Sequence, residues 1–239
     1  MATPYEAGSD AAYALKPKCL PTYLVVDASS SMRPHQQILN QTLAYVHAAI
    51  RDHPRVAEFA YVSLVVFSTE AHLIIEMANL EGVPQMPQIQ CDGVTNYGAA
   101  FSLLRSRIDA DVDDLNSIGM AVLRPVVFLL TDGLPSDKGW ESSFRQLADH
   151  QWRRHPHVIT YGFGEANQQV LSKITTVVGF IAESGTDHRA ALTEALGSML
   201  SSLVASSERG RVVFNRTVPG YQAVEPTQDL LSVPREYLE

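Results

Sequence analysis

Unbroken apolar runs alternate with segments of helical spacing along most of this chain. The clearest run, Tyr23, Leu24, Val25 and Val26, ends abruptly in Asp27 and three hydroxyls, Ser29, Ser30 and Ser31. A strand that is apolar throughout is one covered on both faces, as in a parallel sheet, and it is predicted over residues 20–26. Ile38, Leu39, Thr42, Leu43, Val46 and Ile50 then recur at helical spacing. They predict a helix over 34–52, with Pro34 in its first turn and Pro54 marking its end. Residues 61–67 are rich in β-favouring side chains and predict a second strand. A third, over 72–77, follows a link too short for a parallel crossover, so it should pair antiparallel at an edge.

Residues 79–93 carry Gly82, Pro84, Pro87 and Gly93 and read as a surface loop. A helix is expected over 97–108, then an acidic, solvated connection over 109–119. A second buried strand runs over 124–132 and again ends in a carboxylate, Asp132. Further elements are a helix over 136–153, strands over 158–163 and 177–181, and helices over 168–175 and 188–206. This regular alternation gives an α/β fold, a doubly wound and mostly parallel sheet with helices on both faces and one antiparallel edge strand. Residues 1–16 read as a flexible arm, 17–206 as the domain, and 207–239 as an extension. Within the extension, 211–214 is a candidate added strand before Pro219, Gly220, Pro226 and Pro234 break up the chain.

Composition narrows the function. The 239 residues are 46% hydrophobic, enough for a sizeable core. A net charge of -8 argues against nucleic acid as a partner. No apolar run approaches the roughly 20 residues that span a bilayer, and residues 1–13 lack the basic start and apolar core of a signal peptide. Cys19 and Cys91 lie in no CxxC pair and read as free buried thiols of a cytoplasmic protein.

The candidate chemistry sits at the strand ends. Asp27, Ser29 and Ser31 are two residues apart, so along an extended backbone their side chains share one direction. One carboxylate and two hydroxyls then form an oxygen nest for a hard cation such as Mg²⁺. Carboxyl ends of parallel strands line one crevice, which brings Asp132 beside Asp27. Two carboxylates at about 5 Å repel by roughly 3 kcal/mol at an effective dielectric of about 20, and a cation between them reverses the sign. Thr95 opens the helix at 97, and the flanking Gly93 and Gly98 allow close backbone approach. Each acid also has a plainer reading: Asp27 as a helix cap, Asp132 as the start of a turn with Gly133. His53, His155 and His157 read as surface residues, whereas His35 falls near the crevice.

Asp-x-Ser-x-Ser at 27–31, Thr95 before a helix, and Thr-Asp-Gly at 131–133 resemble the metal-ion-dependent adhesion site of von Willebrand factor A domains. The resemblance covers about residues 18–205. Thr-Asn-Tyr-Gly at 95–98 and Thr-Asp-Gly-x-Pro at 131–135 are similar to bacterial tellurium-resistance-associated members. What the resemblance implies is a Rossmann-like, non-enzymatic module that binds a protein partner. Ser29 and Ser31 would contact the metal directly; Thr95, Asp27 and Asp132 would do so directly or through water. The cation would be Mg²⁺, with Mn²⁺ or Ca²⁺ as alternatives, and a remaining position would accept an acidic side chain of the partner. In similar domains the last helix, here 188–206, moves when metal ligation rearranges. Ser30 stands where members often carry glycine, and is read as a helix cap; Asn96 and Tyr97 are read as supporting Thr95, contacting a partner or starting the helix. The competing class is a metal-dependent phosphatase or hydrolase with Asp27 as nucleophile. It would need a second acid where Ser29 stands and a lysine, for which Lys138 is the nearby candidate.

Overall fold

Strand β1, Lys18–Asp27, is buried from Cys19 to its end, and its neighbours in sequence face opposite cores. A computed structural model of the chain describes residues 16–227. Leu20, Leu24 and Val26 pack into one cluster, Tyr23 and Val25 into the other. This period-two division is why the run is apolar on both faces.

The remaining elements are α1 (Gln36–Arg51), α2 (Pro54–Phe59), β2 (Ala60–Phe67), β3 (Ala71–Asn79), α3 (Tyr97–Ser117), β4 (Ala121–Val122), β5 (Val126–Thr131), α4 (Trp140–Leu147), β6 (His157–Gly162), α5 (Gln168–Lys173), β7 (Val178–Ala182), α6 (His188–Arg209) and β8 (Tyr221–Val224). The sheet order is β3-β2-β1-β5-β6-β7-β8, with β4 also paired to β1. The pairs β2–β1, β1–β5, β5–β6 and β6–β7 are parallel. Leu39, Leu43 and Val46 of α1 and Leu192, Leu196 and Met199 of α6 cover one face. Tyr97, Phe101 and Leu104 of α3 and Phe144 and Leu147 of α4 cover the other. The doubly wound α/β sheet is as expected, and β3 is the antiparallel edge strand beside β2.

Several boundaries differ from the sequence expectation, each for a physical reason. A 3-10 turn, Ser30–His35, takes up Pro34, and α1 begins only at Gln36. Pro54 opens α2 at its first turn as well as ending α1. The loop over 79–93 is not simply at the surface: Met86, Ile89 and Cys91 are buried. The Asn40 side chain clamps it, donating to Ile89 O at 2.9 Å and accepting from Ile89 N at 2.8 Å. The helix expected over 136–153 shrinks to α4, because residues 136 and 137 are drawn into bonds with the start of α3.

The opposite edge also differs. Residues 211–214 form no strand; Val213 N donates to Ser206 Oγ at 2.9 Å, which spends its backbone on α6. The added strand is β8, which pairs antiparallel with β7. Tyr221 and Val224 are buried, and Tyr221 Oη donates to Ala191 O at 2.9 Å. Residues 1–15 of the expected arm and 228–239 of the extension lie outside the described residues.

The largest correction concerns residues 109–119. Rather than a solvated connection, 109–117 are the last turns of α3. Arg105 pairs with Asp109 and Arg107 with Asp111 at helical i, i+4 spacing. Arg154 reaches across to Asp109 and Asp113. Asp111 is buried and accepts from Tyr23 Oη at 2.7 Å and from Arg107 at 2.8 Å. Asp111→Ala therefore strands a buried phenol and a guanidinium, and should cost about 3 kcal/mol in urea unfolding. A solvated acid would cost almost nothing.

Candidate metal centre

β1 and β5 lie side by side in parallel, Val26 opposite Leu130, so the residues just past them share one rim of the sheet. Asp27 has no exposed surface. Its Oδ1 accepts from Ser29 N at 2.9 Å and its Oδ2 from Thr131 Oγ1 at 2.7 Å. Ser31 Oγ donates to Asp132 Oδ1 at 2.7 Å. Ser29 Oγ lies 3.0 Å from Ser31 Oγ, and with the Ser31 proton committed to Asp132, Ser29 is the donor. Three of the five predicted side chains, Ser29, Ser31 and Asp132, are thus linked through short contacts, and Asp27 joins them through the Ser29 backbone.

Thr95 comes from the third segment. Its carbonyl is held by Ser136, whose N and Oγ both donate at 2.8 Å. Asn96 caps α3 by accepting from Ala99 N at 3.0 Å, and Asp137 accepts from Tyr97 N and Gly98 N. A Cβ on Gly98 would stand 2.7 Å from Asp137 Oδ2, so glycine is required there. At Gly133 a Cβ would lie 3.5 Å from Thr95 Oγ1 and 3.8 Å from Ser31 Oγ, so both hydroxyls flank one point. All five residues, Asp27, Ser29, Ser31, Thr95 and Asp132, meet at this rim.

The route to that convergence differs from the expected one. The backbone is extended at Ser29 but enters the 3-10 turn at Ser30, so Ser31 arrives from a turn and not from a continued strand. Ser30 makes no cap; its Oγ donates to Asp92 Oδ1 at 3.3 Å. Tyr97 is fully buried beneath the site and donates to Thr131 Oγ1 and Gly133 O. Tyr97 was expected to support Thr95, contact a partner or start the helix; it begins α3 and its phenol supports Thr131, whereas Thr131, inside the quoted Thr-Asp-Gly motif, and Asp137 were not singled out as supports. His188 was also missed: its Nδ1 lies 2.8 Å from His35 Nε2 at the edge of the crevice. No local pattern joins residues so far apart in sequence. Of the histidines expected at the surface, His155 is buried.

Among the described residues no three His, Cys, Asp or Glu cluster as metal ligands. The donor set is two carboxylates and three hydroxyls, all oxygen, which suits a hard cation. Neither carboxylate has an ion-pair partner among the described residues. Burial pushes the Asp27 carboxyl up to about 6, against the opposing hydrogen bonds from Ser29 and Thr131. Burial raises Asp132 as well, offset in part by Ser31. The rim is polar, desolvated and short of positive charge.

Residues 22–134, just under half of the chain, match the family described as von Willebrand factor type A domain. A comparison with curated proteins found no match. Solved structures share the fold across most of this chain. A von Willebrand factor type A protein from Catenulispora acidiphila is 16% identical over 78% of this chain and 43% of its own, with a TM-score of 0.57. Proximal thread matrix protein 1 from the mussel byssus, with a zinc-occupied MIDAS motif, is 15% identical over 79% and 48%, at 0.58. The pilus adhesin SpaC from Lactobacillus rhamnosus GG, in an open conformation, is 15% identical over 80% and 30%, at 0.61. The chain thus spans less than half the length of each of these proteins. Match and fold point the same way: residues 22–134 match the von Willebrand factor type A family, and these solved structures share the fold.

The Asp27 shift has a measurable consequence in metal-stripped protein. With a free carboxyl near 4, the fold binds the extra proton between about pH 4 and 6, so ionising Asp27 costs up to about 3 kcal/mol above that window. The cost lifts as pH falls from 6 toward 4. Asp27→Asn, neutral throughout, should melt above the wild type at pH 7 and lose most of that advantage by about pH 4.5, as read by thermal unfolding at both pH values.

Proposed function

We propose that this domain docks an acidic side chain of a partner protein through a divalent cation held by Asp27, Ser29, Ser31, Thr95 and Asp132. The observation that carries the reading is the linked set of oxygens at one rim, with Ser31 Oγ 2.7 Å from Asp132 and 3.0 Å from Ser29. Two buried carboxylates that meet no lysine or arginine among the described residues are what such an ion would relieve. Because three of the five donors are neutral hydroxyls, a bound cation would keep enough charge to attract a further carboxylate. Mg²⁺ is our first choice, since it retains exchangeable waters among oxygen ligands, with Mn²⁺ or Ca²⁺ next. The zinc-occupied motif of the mussel protein supports a divalent ion on this fold, and the pilus adhesin supports a role in attachment.

The role is a binding one, not catalysis. Ser29 occupies the place where an aspartyl phosphatase would need its second acid. We place the domain in the cytoplasm of a bacterium, in a stress or tellurium-resistance-type system. The support is two free buried thiols, Cys19 and Cys91, and the motif likeness at 95–98 and 131–135. No helix among the described residues is long and apolar enough to cross a membrane.

Titration calorimetry and thermal unfolding with Mg²⁺ and Mn²⁺ test the reading. Binding heat should appear, with a stabilisation of about 2.7 kcal/mol once the ion exceeds its dissociation constant a hundredfold. Asp27→Ala and Asp132→Ala should abolish both, and Ser31→Ala should weaken them. Native protein that behaves like Asp27→Ala would overturn it. So would phosphate-ester turnover lost in Asp27→Asn.

A further inference from the structure

The end of the sheet opposite the metal rim holds a cleft of about 480 Å³, within the range of small-molecule pockets. Arg124, Arg153 and Arg154 line it together with Val112, Val122 and Leu123. It sits just before β5, so the length of that strand, about 20 Å, separates it from Asp132.

The arginines differ in their partners. Arg154 is neutralised by Asp109 and Asp113. Arg124 meets no carboxylate among the described residues; its Nη1 lies 2.8 Å from His155 Nε2. His155 Nδ1 lies 2.8 Å from Trp152 O, an acceptor only, so Nδ1 carries the proton and Nε2 accepts from Arg124. The imidazole is therefore neutral and leaves the guanidinium charge intact. Burial holds the Arg124 pKa below its ordinary value. His150 and His157 also stand near Arg124, and Asp149 is the acid facing the histidines. Arg153 makes neither ion pair nor side-chain hydrogen bond among the described residues, and is exposed. Two cations without carboxylates beside an apolar wall are unexpected in a chain of net charge -8.

We propose that this cleft binds a small organic oxyanion, a phosphate or carboxylate, with Arg124 and Arg153 forking onto the anion and Val112, Val122 and Leu123 taking the apolar body. A guanidinium matches either anion in bidentate fashion. The inference stands apart from the metal reading, since no residue is shared.

Amide-resolved NMR titration of metal-stripped protein with phenyl phosphate, and separately with benzoate, tests it, against chloride at matched ionic strength. Saturating shifts should centre on residues 122–124 and 153–155, and the tighter probe names the anion. Arg153→Gln removes no observed bond, so the fold stays, and it should weaken binding at least tenfold. Arg124→Lys keeps the charge but loses the fork, and should weaken binding less. Non-saturating shifts, shifts equal to those with chloride, or an Arg153→Gln curve that overlays the wild type would each overturn the proposal.

Discussion

Asp27 ends the central strand with no surface of its own, and the Ser29 backbone amide and the Thr131 hydroxyl face its two oxygens. A desolvated carboxylate is costly unless its charge is met. The sheet brings a second one, Asp132, to the same rim and, among the described residues, supplies no lysine or arginine pair for either. The fold accepts this cost because β1 and β5 are locked from both faces by two full helical layers. What surrounds the acids is then set by rigid elements: Ser31 by a 3-10 turn, Thr95 by Ser136, Thr131 by the buried Tyr97 phenol.

Much of this was legible in the residues because burial and chemistry point the same way there. A doubly covered strand must be apolar throughout, and a polar end on such a strand stands out. Five oxygen-bearing side chains could therefore be singled out, and the structure brings them to one rim. Their means of convergence could not be read, because whether a Ser-Ser-Ser run stays extended or turns depends on contacts with Asp92 and Gly93 far along the chain.

Charge misled where it was internally paired. Asp109, Asp111 and Asp113 look like solvent-loving residues, yet they finish a helix. Two of their arginine partners lie one turn earlier in the same helix, where the spacing was visible. The other, Arg154, comes from a distant turn. The final strand escaped notice for a different reason. Gln222 and Ala223 carry no β signal, and the strand exists because Tyr221 and Val224 find buried places beside β7. The His35–His188 contact likewise has no signature short of the fold itself.

Helix α6 is stitched along its whole length. His188 at its head meets His35, Ala191 is held by Tyr221, Ser198 by Tyr161, and Ser206 grips the chain beyond at Val213. Each such bond contributes on the order of 1 kcal/mol, and a helix sliding by one turn would forfeit them together. The helix is therefore built to ratchet as a unit or stay put. Any tug at its histidine end is handed to β8, the outermost strand, through the Tyr221–Ala191 bond one turn away.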